Sequence, residues 1–254
     1  MDFLTAIIAG LLQGIFEWLP ISSQGNILGI FIWLGSNPQE ALRLAVMLHM
    51  GTVLAAIIYF RKEIKEILKW KKKEEKELGK FVIIATFATI ITAIPSYLLL
   101  EEFLGTSVAL VVLLLAILLV ITGLLQLSKK IKGTGELNFK NAIFTGLGQG
   151  FSVLPGVSRS GTTTAVLLFT GFTPEKAFRV SFLMSIPAVL LAEVGYGIIK
   201  GFLFDEFALI ALVIAFVVGL ISMDLLIKVA RKINFAWFCF VLAIIYFIAF
   251  ILLV

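Results

Sequence analysis

Apolar residues run along this chain in long unbroken blocks, without the alternation of a half-exposed strand. Six blocks, at about 39–60, 81–100, 107–127, 176–199, 206–227 and 234–254, reach the roughly 20 residues that a helix needs to cross a bilayer. Four others, at about 3–19, 25–35, 140–153 and 162–172, are too short. They form two pairs, each interrupted by a turn-forming cluster: Leu19-Pro20-Ile21-Ser22-Ser23-Gln24-Gly25 in the first and Leu154-Pro155-Gly156-Val157-Ser158-Arg159-Ser160-Gly161 in the second. The pattern predicts an all-α polytopic membrane protein with six transmembrane helices and two re-entrant helical hairpins. Protein must surround both turns, because lipid cannot satisfy non-helical backbone.

The two halves echo each other. Gly10, Gln13, Gly14, Ser22, Gly25, Gly35, Pro38, Ala41, Arg43, Leu54 and Ala56 return 136 positions later as Gly146, Gln149, Gly150, Ser158, Gly161, Gly171, Pro174, Ala177, Arg179, Leu190 and Ala192. Chance matches in apolar sequence would be Leu, Ile, Val and Ala, whereas Gly, Gln, Ser, Pro and Arg dominate here. A duplicated unit is expected, repeat one at about 1–127 and repeat two at about 137–254, within a single integral domain spanning 1–254. One non-crossing hairpin and three spans per copy place the second copy upside down, so an inverted-topology repeat follows. Its two turns can meet inside the bundle, where broken helices of transporters place their sites.

Composition agrees with that picture: 60% of the residues are hydrophobic, 15% are charged and mean hydropathy is +1.09. Loop charges set the orientation. The segment 61–80 carries Arg61, Lys62, Lys65, Lys69, Lys71, Lys72, Lys73, Lys76 and Lys80, and reads as a solvated, partly helical cytoplasmic loop. Lys129, Lys130, Lys132 and Lys140 mark a second cytoplasmic loop, and Lys228, Arg231 and Lys232 a third, whereas the connections at Glu101–Thr106 and Lys200–Glu206 go outside. The net charge of +5 comes from these loops and does not point to nucleic acid. Met1-Asp2-Phe3 lacks the basic start of a cleaved signal and is expected to be retained. The lone Cys239 is read as packing.

The chemistry concentrates at the turns. Arg159 is a permanent cation in apolar surroundings, flanked by Ser158 and Ser160 and followed by Gly161, Thr162, Thr163 and Thr164 at a helix start. Backbone donors, hydroxyls and a guanidinium fork together suit a phosphate. The bland alternative is that Arg159 only neutralises Glu17. Glu17 lies three residues before Pro20, with Gln13 one helical turn earlier on the same face, a placement for a base or a metal ligand. Ser22 and Ser23 are candidate nucleophiles, or small residues that let helices pack.

Gln13-Gly-Ile-Phe-Glu17-Trp-Leu-Pro20-Ile-Ser22-Ser23-Gln-Gly25 together with Pro155-Gly-Val-Ser158-Arg159-Ser160-Gly161-Thr162-Thr163 resembles the undecaprenyl-diphosphate phosphatase family, the bacitracin-resistance type. Ser181-Phe182-Leu183 and Ile186-Pro187-Ala188 extend the likeness. The resemblance implies hydrolysis of a polyprenyl diphosphate to the monophosphate and inorganic phosphate, recycling a lipid carrier for envelope glycans. It implies a multi-pass protein of the plasma membrane whose site opens to the outer face, with the lipid as partner and a homodimer as an open arrangement. By motif position Glu17 is the essential acid, Ser23 the nucleophile or its neighbour, and Arg159 the diphosphate clamp. Gln13, Ser22, Asn26, Ser158, Ser160, Gly161, Thr162 and Thr163 form the expected substrate pocket. A divalent cation, Mg2+ or Ca2+, is expected to be shared between Glu17 and the substrate diphosphate. The alternative from another class is a polyprenyl-phosphate transporter that flips its ligand without hydrolysis.

One position departs from the family, which usually has His where this chain has Asn26; Asn binds phosphate but exchanges no proton near neutral pH. The single histidine, His49, stands among Leu48, Met50, Gly51 and Thr52, where helix packing is expected. Glu193, near the outer third of its span, is expected either to serve as a relay or pocket acid or to reach the interface, Asp224 to pair with Lys228 one turn on, and Arg43 and Arg179 to anchor the hairpins.

Overall fold

The computed structural model describes residues 2–127, 135–201 and 206–254. Lys129, Lys130 and Lys132 of the second basic loop, and most of the connection expected between Lys200 and Glu206, lie outside the described residues. Every regular element among the described residues is helical: α1 (Phe3–Phe16), α2 (Ser23–Trp33), α3 (Pro38–Tyr59), α4 (Arg61–Lys69), α5 (Lys73–Leu104), α6 (Val108–Leu127), α7 (Phe139–Gly150), α8 (Arg159–Phe169), α9 (Pro174–Lys200), α10 (Glu206–Lys232) and α11 (Ala236–Leu253). Six of them, α3, α5, α6, α9, α10 and α11, are long and apolar enough to cross a bilayer, which makes this a multi-pass membrane protein. Large apolar side chains such as Phe87, Ile91, Leu98, Ile198 and Ile221 point outward, as a lipid-facing surface requires.

Helix boundaries follow from capping chemistry. Asn37 accepts from the amides of Gln39 and Glu40 to start α3, with Pro38 in its first turn. Thr173 and Pro174 repeat the device at the start of α9. Asp2 caps α1 by accepting from the Thr5 amide at 2.7 Å, and that hydrogen bond holds its carboxyl below the usual range. The basic stretch 61–80, expected to be partly helical, is helical over most of its length. It forms α4, breaks at Trp70 with φ of 50°, and then supplies the first turns of α5, because its Lys and Glu residues are good helix formers.

Short helices α1 and α7 owe their seats to matched glycines. Gly10 and Gly14 let α1 lie directly on α10, where a Cβ at Gly10 would stand 2.5 Å from the Ala211 carbonyl oxygen. Gly146 and Gly150 bring α7 equally close to α5, against Ala85 and Thr89. α1 and α7 thus each pair with a long helix of the other half, and α6 packs along α11. Two apolar cores result, one around Trp18, Phe60, Phe81 and Phe182, the other around Ile27, Leu42, Leu48, Leu100 and Leu115. The Trp18 indole donates to the Gly219 carbonyl at 3.0 Å, tying the end of α1 to α10.

Candidate active site

Proline and serine shape the two interruptions. α1 ends as the Glu17 amide donates to the Gln13 carbonyl, and Pro20 cannot extend the helix. Ser22 then adopts a left-handed conformation, φ of 63°, that a non-glycine residue reaches only at a cost of about 1–2 kcal/mol. Its hydroxyl accepts from Gly25 N at 3.3 Å and, across the molecule, from Gly156 N at 2.9 Å. Gly156 needs to be glycine twice over: its φ is 108°, and a Cβ would meet Leu118 Cβ at 2.7 Å. On the facing turn a Cβ at Gly25 would stand 2.5 Å from Gly156 N. The two turns are therefore in direct backbone contact.

Helix α6 holds both. Thr122 donates to the Gly156 carbonyl at 2.8 Å and accepts from Ser158 N at 3.1 Å. One turn further, Gln126 donates to the Pro20 carbonyl at 2.7 Å. Neither residue was singled out from the sequence, although two polar residues four apart in an otherwise apolar span were a readable signal. Cys239 lies beside Gln126 and Pro20, in the packing role expected of it.

Glu17, only 6% exposed, sits where the turns meet. Its Oε1 pairs with Arg159 Nη2. Oε2 accepts from Ser23 Oγ at 2.7 Å and from Gln13 Nε2 at 2.9 Å, and His49 Nε2 stands 3.4 Å away. Gln13 also donates to Thr52 Oγ1 at 3.2 Å, which fixes the amide on α3. Arg159 is the first residue of α8, whose N-cap Ser158 accepts from Gly161 N at 3.1 Å. Its guanidinium lies 5.8 Å from the centre of the Phe182 ring, and its buried Nη1 has no hydrogen-bond partner.

These groups open into a cavity of about 650 Å³. Glu17, Ser22, Ser23, Ser158, Arg159 and Ser160 line it, and so does His49, which the sequence had placed in packing. From there the walls become apolar along α5 and α9, through Ile90, Ile94, Leu98, Ala188, Leu191 and Ile199, several of them also exposed on the outside of the bundle. Glu193 is buried and lines the same cavity, the pocket position of the two readings its sequence left open.

The remaining candidates stand back from the cavity wall. Asn26 donates to the carbonyls of Ile21 at 2.7 Å and Ser22 at 2.9 Å, so its side chain braces the first turn where a phosphate contact was expected. Thr163 bonds the Arg159 carbonyl and Ser181 Oγ, joining α8 to α9. Gly161 supplies its amide to Ser158, and Thr162 is buried without a side-chain partner. Elsewhere Arg43 Nη2 donates to the Gly201 carbonyl at 3.0 Å, which ties α3 to the end of α9 where a hairpin anchor was expected, and Asp224 pairs with Lys228 at 2.6 Å.

The donor set around Glu17 does not fit Mg2+ or Ca2+ in this arrangement. One carboxylate oxygen is taken by a guanidinium, the other by two hydrogen-bond donors and an imidazole, and no cluster of three acidic, His or Cys ligands occurs among the described residues.

The chain is similar to known proteins over nearly its whole length. Undecaprenyl-diphosphatase of Methanothrix thermoacetophila is 42% identical over 246 residues, covering 94% of this chain and 93% of that protein. Those of Methanococcoides burtonii and Haloarcula marismortui are 37% and 39% identical over 246 and 250 residues, covering 92% and 93% of this chain and 93% of each relative. Residues 6–245 match the family described as Bacitracin resistance protein BacA, and the chain belongs to that family.

Proposed function

We propose that this protein hydrolyses a polyprenyl diphosphate, undecaprenyl diphosphate or a close analogue, to the monophosphate and inorganic phosphate. The observation that carries the reading is Arg159: a guanidinium anchored on Glu17, with a buried and unpartnered Nη1, in a residue lining a cavity that also holds a serine hydroxyl bonded to that same carboxylate. An unmet charged donor in an apolar site is costly, and a phosphate oxygen satisfies it.

In this reading Ser23 Oγ attacks the terminal phosphorus while its proton passes to Glu17 Oε2, the acceptor 2.7 Å away. The bridging P–O bond breaks and its electron pair leaves with the prenyl monophosphate. Water then attacks the phosphoserine, the P–O bond to Ser23 breaks as Glu17 gives its proton back to Oγ, and inorganic phosphate leaves with the water's oxygen and protons. Arg159 neutralises charge that grows on the transferring oxygens. The apolar walls between α5 and α9 receive the prenyl tail from the bilayer.

The same reading takes α1–α2 and α7–α8 as re-entrant hairpins of an inverted-topology repeat. Supporting it, α2 and α8 share both lengths and boundaries at the repeat offset, and α1 seats on α10 as α7 does on α5. The cavity follows α5 from Thr86 to Leu100 and α3 from His49 to Leu42, away from the basic segment 61–80. By the positive-inside rule that direction is outward, so the site opens to the outer face of the plasma membrane. Any divalent cation is assigned to the substrate's own phosphate oxygens.

Product analysis tests the proposal. Detergent-solubilised protein given a long-chain polyprenyl diphosphate should yield monophosphate and phosphate in equal amounts, with phosphate trapped on Ser23 in rapid quench. Retained lipid binding without phosphate release would replace hydrolysis with carriage.

A further inference from the structure

We infer that His49 is a positioning residue that holds Glu17 toward Ser23, and that it does so with both ring nitrogens protonated. The inference rests on the hydrolytic reading of the site. His49 Nδ1 lies 2.7 Å from the Ala45 carbonyl oxygen, one turn back on α3. A carbonyl only accepts, so Nδ1 carries a proton. The other nitrogen, Nε2, faces Glu17 Oε2 at 3.4 Å. A neutral ring would then turn a lone pair on a carboxylate inside an apolar cavity, whereas a protonated Nε2 turns a donor on it. The imidazolium is the form that satisfies both neighbours, an assignment made from the hydrogen-bond network.

The surroundings accommodate that charge. The charged or titratable side chains sharing the cavity are Glu17 from the first turn, Arg159 from α8, Glu193 from α9, and Tyr97 and Tyr196 from α5 and α9. Helix α10, packed along α3, carries its charges near its ends, with Asp224 bonded to Tyr59 well away from His49. Two cations thus share one carboxylate, and their duties differ. Arg159 has a second partner to serve, the substrate phosphate. His49 does not, so it keeps Oε2 directed at Ser23 while the guanidinium engages the substrate.

A single histidine in the chain makes the test clean. In full-length protein carrying 15N-histidine, Glu17→Gln should displace the Nε2 resonance and leave Nδ1, bonded to Ala45, in place. An Nε2 resonance indifferent to Glu17→Gln overturns the inference. On activity, His49→Gln keeps a donor at similar reach and should lose less than about tenfold in kcat, whereas His49→Leu should lose about 10- to 100-fold with KM little changed. Equal losses in the two variants, or full activity in His49→Leu, also overturn it. Should wild-type protein release no phosphate at all, the hydrolytic reading fails, and the resonance arm still decides whether His49 holds Glu17.

Discussion

The two turns are built alike and used differently. Each follows a short helix with a proline, caps the next helix with a serine, Ser22 or Ser158, and gives that serine an amide from the glycine three residues on, Gly25 or Gly161. The residue just after the cap begins the helix in both cases. In the first turn it is Ser23, hydrogen-bonded to Glu17; in the second it is Arg159, paired with the same Glu17. Duplication supplied one frame twice, and divergence at a single equivalent position placed a hydroxyl on one side and a guanidinium on the other. The acid has no counterpart either, since Val153 stands where the first half has Glu17. A matched scaffold thus gives convergence, and mismatched side chains give chemistry.

Substitutions can separate frame from chemistry. The largest effect is expected at the acid: Glu17→Gln should cut kcat/KM for phosphate release by about 10³-fold or more, because it removes the proton acceptor and the anchor of Arg159 together. Its positional equivalent, Val153→Ala, should change that rate little. Next comes the frame itself. Gly156→Ala forces a side chain into a left-handed position against Leu118 and should destabilise the protein by roughly 2 kcal/mol or more, read as a lower Tm in detergent. The two repeat-related glutamines offer a finer comparison. Gln13→Leu should slow turnover about tenfold, since Gln13 donates to Glu17, while Gln149→Leu, which loses only a bond to Thr89, should leave turnover within a few-fold. Smallest, Asn26→Leu should lower stability by about 1 kcal/mol through the Ile21 carbonyl it leaves bare, the Ser22 carbonyl keeping the backbone amide of residue 26, with KM for the diphosphate barely moved.

Much of this frame was legible in the sequence because its signals are local. Pro20, Pro155 and the serines after them fix where short helices stop and restart, and the apolar blocks match α3, α5, α6, α9, α10 and α11 to within a few residues apart from the extended start of α5. The run 61–80 was legible as a partly helical loop, but its lysines masked that its second part continues into the span as one helix. Side-chain facing across helices was not legible. His49 is flanked by residues suited to packing, and only the rotation of α3 against the first turn brings its ring to Glu17. Asn26 sits in the motif yet faces its own turn's carbonyls, since a short amide near a helix start competes well for backbone partners. Thr122 and Gln126 act on segments far along the chain, and nothing local announces what they touch.

The central claim, that the two turns form one phosphate-transferring site, is tested most directly at Arg159. Phosphate release from a long-chain polyprenyl diphosphate is measured for the wild-type chain and for Arg159→Ala at matched folding. The account predicts a fall of about 10³-fold or more in kcat/KM, because the second turn supplies the charge that the first turn's nucleophile needs. Turnover by Arg159→Ala close to that of the wild type would contradict it.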